Sequence, residues 1–518
     1  MDSWDSCHKV LAVLLLAVFF GGCASVDSNY PRIPSTALPA DGSTMLGQQY
    51  SGVVAAHPPN LSGFHALPDG IDALAARILL AERAERSIDL QYYLIKNDLV
   101  GRAFLHSLLR AADRGVRVRL LLDDVFTSGY DAGMQALMQH PNFEIRVYNP
   151  FNRGFAGRAL GSIVNFKRVN RRMHNKSFTV DNQATIIGGR NIAAEYFAAR
   201  EDSNFGDLDV VAIGPIVNEV SNMFDLYWNH PTAYPVAAFA KPTDDPEGAL
   251  VRLRKSLADA YDDVPNTKYA EAIGERFSAF ARAGNDIYRW SPYRLVYDSP
   301  EKGLKGNPDD SQRISRQILE ELSGAEHQIF LVSPYFVPRK GGIKLIKEFR
   351  AKGVEVSVIT NSLAANNQFS VHAGYAPSRK PLLEAGVKIY EARPDAEVIS
   401  ADLVAASGAK ATLHTKSFMV DNKEIFIGSF NFDPRSVNLN TEMGVIIRNQ
   451  ELADEYVKLL HDKLPANAYE VFLNEKNDLR WRGLNDGAEV IYKKEPQTSW
   501  WDRFVVGFVR ILPIRSQL

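Results

Sequence analysis

Two segments of this chain carry the same residues in the same order. His174, Lys176 and Asp181 recur as His414, Lys416 and Asp421, each set spaced H-x-K-x4-D and the two lying 414 − 174 = 240 residues apart. Gly188, Gly189 and Asn191 follow the first set; Gly428, Ser429 and Asn431 follow the second. The repeat extends upstream. Gly115 opens an alternating run to Leu122, and Gly353 opens another to Ile359, 353 − 115 = 238 residues later. Ahead of each run lie a helical stretch, a strand-like stretch and a second helical stretch, at 71–86, 87–95 and 99–114, then at 314–322, 328–337 and 342–352. Strands alternating with helices predict βαβ units and mainly parallel sheets. A chain with this register is expected to fold as two similar α/β domains, with its duplicated polar sets where they meet.

Around each set the residues are apolar or β-branched (Phe178, Thr179, Val180; Phe418, Met419, Val420), which predicts a strand. Alternate strand residues share a face, so His174 and Lys176 project together, as do His414 and Lys416. Asp181-Asn182 and Asp421-Asn422 are turn formers, and apolar runs follow. Each unit reads as a β-hairpin. A neutral imidazole is a competent nucleophile and proton carrier near pH 7. A lysine ammonium stabilises charge developing on a phosphate oxygen. Phosphodiester transfer needs a nucleophile on one side of phosphorus and an acid on the other, and two facing His-Lys pairs supply both through a covalent intermediate.

At these residues the chain resembles the phospholipase D superfamily, whose signature is H-x-K-x4-D followed by G-[GS]-x-N. Within it the chain looks most like bacterial cardiolipin synthases of the C type, on the segments 89–93, 170–176 and 371–375 as well. The resemblance covers roughly residues 60 to 480. It implies two phospholipase D-like domains related by a pseudo-twofold axis, with the active site between them. It implies catalysis by His174, Lys176, Asp181, His414, Lys416 and Asp421 through a phosphohistidine, with no metal and no cofactor. Lys176, Lys416, Asn191 and Asn431 would bind phosphate oxygens, and Ser429 lies beside them. His174 as nucleophile rests on family analogy; the residues alone allow the reverse. Family members keep a carboxylate that orients each histidine. Glu442 lies 442 − 416 = 26 residues after Lys416, whereas Asp207 and Asp209 lie 31 and 33 after Lys176. Asp207 aligns better with Glu442. A shorter acid at longer spacing predicts unequal histidine pKa values, suited to one nucleophile and one acid.

The formal net charge of −2 gives no general nucleic-acid signature. The apolar run from Val10 to Phe20 is too short to span a bilayer and has the length of a signal h-region. Gly21-Gly22-Cys23 then resembles a lipobox, so residues 1–22 are expected to be a signal peptide and Cys23 a lipidation site. Processing there leaves no partner for a disulfide. Residues 23–60, rich in Ser, Pro and Gly, read as a tether. The domains are expected at 61–237 and 308–480, joined by a connecting insertion at 238–307 over the surface. In 481–518, Trp500, Trp501, Phe504, Val505, Phe508 and Leu512 recur near helical spacing beside Arg503 and Arg510, as in an interfacial helix. Arg153, Arg158, Lys167, Arg168, Arg171 and Arg172 crowd the approach to His174, as lipid-facing or solvated residues.

The expected activity is a phosphatidyltransferase forming cardiolipin at a membrane surface in the bacterial cell envelope. Phosphatidylglycerol, or phosphatidylethanolamine, would be the phosphatidyl donor. The alternatives are a phospholipase D using water as acceptor, a nuclease, and a non-catalytic lipid-binding protein. The balanced charge argues against nucleic acid as partner.

Overall fold

The glycine-started runs are strands, and each glycine ends the helix before it. Gly115 and Gly353 take φ of 98° and 88°. The following amide then reaches back into the last helical turn, from Val116 to Ala111 O (3.1 Å) and from Val354 to Phe349 O (3.1 Å). In the computed structural model, residues 26–153, 166–242, 244–262, 268–304, 312–396, 410–485 and 487–510 are described. The first half holds α1 (Met45–Ala55), β1 (Leu61–Leu67), α2 (Gly70–Arg83), β2 (Ser87–Tyr92), α3 (Leu99–Asp113), β3 (Arg117–Asp123), β4 (Phe143–Tyr148), β5 (Ser177–Val180), β6 (Ala184–Gly188), β7 (Ser203–Gly206), β8 (Asp209–Ile213), α4 (Ile216–Trp228) and β9 (Ala233–Pro235). Helices α5 (Pro246–Asp262) and α6 (Lys268–Ala283) follow. The second half holds β10 (Arg289–Tyr297), α7 (Ile314–Ser323), β11 (Gln328–Val332), α8 (Arg339–Ala351), β12 (Glu355–Asn361), α9 (Phe369–Tyr375), β13 (Lys388–Ala392), β14 (Lys410–Leu413), β15 (Ser417–Val420), β16 (Glu424–Gly428), β17 (Met443–Arg448), α10 (Gln450–Asn467), β18 (Ala468–Leu473), β19 (Leu479–Asn485), β20 (Ala488–Tyr492) and α11 (Trp500–Val509).

The two halves repeat one strand order. From the centre outward it runs β1-β8-β6-β5-β2-β3-β4 in the first half and β10-β17-β16-β15-β11-β12-β13 in the second. The fold is therefore α/β with two similar domains, as the repeat predicts. The expectation of mainly parallel sheets is corrected. Parallel pairing is confined to β2-β3-β4, β11-β12-β13 and the short β7-β14 pair; the other ladders are antiparallel. Hydrophobic periodicity identifies a strand but not the direction of its neighbour.

Two boundaries also differ. Arg289 to Pro292 of β10 pair with β1, while Tyr293 to Tyr297 pair with β17. Part of the stretch read as a surface insertion is thus the strand that joins the halves. Helices α5 and α6 also contribute, with Leu257 buried and Tyr269, Ile273 and Phe280 packed on the first core. The stretch read as a tether lies on the first half from Val26 onward. Its carbonyls are taken by buried arginines, Ser35 O by Arg119 (2.9 Å) and Ile33 O by Arg146 (2.6 Å). Leu46 and Tyr50 of α1 enter the same core. Ser and Pro content marks a segment without regular structure, and here side chains of the body supply its hydrogen bonds. The expected signal peptide and Cys23 lie outside the described residues.

Asp181 and Asp421 sit at the tips of the β5-β6 and β15-β16 hairpins. With Asn182 and Asn422 they take φ of 51–52°, the left-handed turn that Asp and Asn tolerate. Asp181 accepts from the amides of Glu85, Arg86 and Ser87 at 2.8–3.0 Å, and Asp421 from those of Glu326, His327 and Gln328 at 2.8–2.9 Å. Each ties its hairpin to the start of the neighbouring strand. Six residues of largely extended chain separate each aspartate from its histidine, on the order of 20 Å. The contacts that Asp181 and Asp421 make are thus structural ones, at the hairpin tips rather than beside the histidines. D181A and D421A should each lower stability by about 1–3 kcal/mol through orphaned amides. Turnover per folded molecule should stay near wild type. Chemical denaturation beside an activity assay checks this; lost turnover at unchanged stability would restore the catalytic assignment.

Candidate active site

The polar ends of two equivalent strands set the histidines in place. Asp123 closes β3 and accepts from the Met173 amide (2.8 Å). Asn361 closes β12, 361 − 123 = 238 residues later, and accepts from the Leu413 amide (3.0 Å). Each clamps the residue before a histidine. His174 and Lys176, like His414 and Lys416, lie just ahead of β5 and β15 rather than within them. Their backbone partners belong to the opposite half. The His174 amide donates to Thr441 O (2.9 Å), and the His414 amide to Gly206 O (2.7 Å).

The side chains are exchanged in the same way. His174 Nδ1 lies 2.8 Å from Glu442 of the second half, and His414 Nδ1 lies 2.5 Å from Asp207 of the first. Each half thus orients the other's histidine. Asp207 is the counterpart of Glu442. Asp209, the other candidate, is buried against Arg77 (2.8 Å) and Arg190 (3.4 Å). Ser429 Oγ donates to Glu442 Oε2 (2.5 Å) and Ser436 Oγ to Oε1 (2.7 Å). Gly189 occupies the matching place in the first half, where a Cβ would stand 2.2 Å from Asp207 Oδ1. Asp207 and Glu442 thus each hydrogen-bond a histidine, and Ser429 in turn holds Glu442.

Burial sets the charge states. It lowers the pKa of His174, with Lys176 adding to the effect and Glu442 opposing it. It takes His414 down to about 3, helped by Lys416 and opposed by Asp207. Both imidazoles therefore rest neutral. Burial also lowers Lys176 to about 7 and Lys416 to about 8. Burial pushes the carboxyls of Glu442 and Asp207 up, but the histidine and lysine facing each outweigh it and hold them below the ordinary range. With Nδ1–H donated to a carboxylate, each Nε2 presents a lone pair.

The two halves differ around the rings. Phe205 stacks on His414 at 5.2 Å, and the Tyr196 ring meets it edge-on at 4.9 Å. Tyr196 Oη is 3.4 Å from His414 Nε2 and accepts from Asn191 Nδ2 (2.8 Å). Among the described residues, His174 has Tyr93 alone in such a position, also at 4.9 Å. Among the described residues, the buried side-chain carbonyl oxygens of Asn191 and Asn431 meet no hydrogen-bond donor. Lys176 Nζ lies 2.6 Å from His174 O, and Lys416 Nζ lies 2.8 Å from His414 Nδ1. Sequence reasoning missed Tyr196, Ser436 and the Asp123-Asn361 pair. The pair alone left a signal: a polar residue ending the alternating strand in both halves. The arginines near His174 are otherwise engaged: Arg153 with Asp124 and Asp131, Arg172 with Asp123, Arg168 and Arg171 with carbonyls. Arg158 lies outside the described residues.

The family model for the cardiolipin synthase, phospholipase D-like domain matches residues 78–228 and 318–463, one segment in each half. The chain belongs to this family. It is 39% identical to cardiolipin synthase C of Escherichia coli (strain K12) over 93% of this chain and 99% of that protein. A cardiolipin synthase of Staphylococcus aureus (strain Mu50) is 25% identical over 74% of this chain and 63% of that protein. The solved structure of phosphatidylserine synthase from Haemophilus influenzae Rd KW20 matches with TM-score 0.57 at 14% identity, covering 90% of this chain and 100% of that one. That likeness is one of fold.

Two outcomes follow from the charges. E442Q and D207N keep side-chain size but remove the charge that aims an imidazole, so kcat should fall about 100-fold or more with KM little changed. A fall confined to KM would sink the orienting role. In the free enzyme, kcat/KM should decline as pH rises through 7–8, where Lys176 and Lys416 lose their protons. The acid limb should lie below the ordinary histidine value. A pH profile flat from 6 to 9, a range set roughly by these groups, would contradict the assignment.

Proposed function

We propose that this protein is a phosphatidyltransferase that forms cardiolipin from two phospholipids through a phosphohistidine. The exchanged pairs His174–Glu442 and His414–Asp207 carry the reading, because they place two equivalent nucleophile-acid groups at one seam. Sequence identity to a cardiolipin synthase over nearly the whole chain supports the acceptor class.

His174 Nε2 attacks phosphorus of the donor lipid, and a P–N bond forms as the P–O bond to the leaving alcohol breaks. His414 Nε2–H gives that oxygen its proton. The hydroxyl of a second lipid then yields its proton to His414 and displaces His174, which restores both imidazoles. Tyr196 Oη beside His414 Nε2 supports this division, since a hydroxyl already sits where the leaving or entering alcohol must be. Lys176, Lys416, Asn191 and Asn431 bind the phosphate oxygens. Phe205 and Tyr196 wall His414 from water, which favours an alcohol acceptor over hydrolysis.

The substrates on this reading are phosphatidylglycerol and, as an alternative donor, phosphatidylethanolamine. The protein acts at a bacterial membrane surface, held there by lipidation of Cys23. Among the described residues no helix is long and apolar enough to cross a membrane.

Purified protein given phosphatidylglycerol, with and without phosphatidylethanolamine, should yield cardiolipin by mass spectrometry, and the released alcohol names the donor. H174A and H414A should each abolish it. F205L should raise the share of phosphatidic acid by a few-fold, on the order expected for a loosened water barrier. Phosphatidic acid as sole product of the wild type would make the protein a hydrolase.

A further inference from the structure

Helix α11 turns its aromatic side away from the protein. Trp500, Trp501, Phe504 and Phe508 are 68%, 55%, 54% and 54% exposed. Their spacing puts them on one face, and Trp501 stacks on Phe504. The helix is nevertheless firmly seated. Val506 is buried against Leu363 and Ala373 of the body, with Val509 beside it. Ser499 and Asp502 form a capping box at its start. Just upstream, Glu495 accepts from Arg379 (2.7 Å) and pairs with His372 (3.0 Å) on α9. A helix ordered this well has no structural reason to expose four large aromatic rings.

Its position relates it to the active site. Leu363 lies two residues past Asn361, which clamps the backbone next to His414. Tyr335 bonds to Asn367 (2.9 Å), just ahead of α9, and acts electrostatically on both Tyr93 and Tyr196. Phe369, at the start of α9, is itself 41% exposed. Helix α11 is thus seated on the segment that directly follows β12, whose last residue holds the backbone next to His414. Exposed Lys493 and Lys494 precede it. Aromatic rings flanked by lysines match the headgroup zone of an anionic bilayer, where indoles partition and ammonium groups meet phosphates.

We infer that α11 is a bilayer-docking element that seats the mouth of the active site against the phospholipid surface. Lipid then reaches the histidines from the membrane directly. The inference rests on the reading of a lipid substrate, yet it predicts insertion of specific side chains whether or not turnover occurs.

The probe is vesicles of phosphatidylglycerol and phosphatidylethanolamine carrying bromine on their acyl chains, which quenches indoles inside the bilayer. The full chain should lose tryptophan emission on these vesicles. W500F/W501F, which keeps the apolar face, should lose most of that quenching. W500A/W501A/F504A/F508A should form cardiolipin on vesicles about tenfold more slowly, while turnover of monomeric short-chain phosphatidylglycerol stays within about twofold. Quenching unchanged in W500F/W501F, or vesicle turnover unchanged in the four-alanine variant, would overturn the inference. Quenching through these indoles with no lipid product would sink the transferase reading and leave the docking element standing. Cardiolipin formed without quenching would do the reverse.

Discussion

The exchange of carboxylates between halves is the interaction on which the molecule depends. Asp207, Glu442, Lys176 and Lys416 are all buried, and a buried charge left alone costs several kcal/mol. Within one half, His174 would lack Glu442 and Asp207 would lack His414. The groups balance only when the halves meet. The seam is thus required chemically as well as by the hydrophobic core that crosses it, where Met173 and Val210 cluster with Met419 and Val445. Strand β10, bonded to β1 along one part and to β17 along the other, holds the two sheets in the register this exchange needs.

The symmetry is broken at a few places, and these are where function divides. The first half has five more residues between its lysine and its carboxylate, 31 against 26. They are spent on β7, which pairs with β14 of the other half and carries Phe205 onto His414. The second half has no such strand, and β17 begins directly after Glu442. Among the described residues, one imidazole is consequently walled by two aromatic side chains and the other by one. A duplicated site becomes directional by a local insertion, with the chemistry of each half kept.

Much of this was legible in the sequence, and the limits have physical causes. The repeat showed because helix ends, strand starts and the histidine sets all recur at nearly one interval. The longer spacing to Asp207 signalled a local difference between the halves, which the structure shows as the added strand β7. Which half each carboxylate serves did not show, since a motif records neighbours along the chain and not across a seam. The motif likewise names Asp181 and Asp421 beside the histidines, although strands β5 and β15 carry them to the far ends of their hairpins. Residues 26–55 looked like a tether because their hydrogen-bond partners, such as Arg119, Arg146 and Asp225, lie up to about two hundred positions away.

The depressed pKa of His414 looks at first unsuited to an acid. The site sets two lysines against two carboxylates, and burial together with the lysines keeps its imidazoles neutral. An arriving phosphodiester adds one negative charge to that buried balance. An opposite charge at close range raises the pKa of an imidazole, and in a dry site it does so strongly. The proton needed by the leaving alcohol is therefore recruited by the substrate itself. On the proposed mechanism, the same charge holds Lys176 and Lys416 protonated as they bind the phosphate oxygens. Resting neutrality keeps the attacking nitrogen available, and binding supplies the acid opposite it. A site permanently charged at both histidines would have the acid and lack the nucleophile.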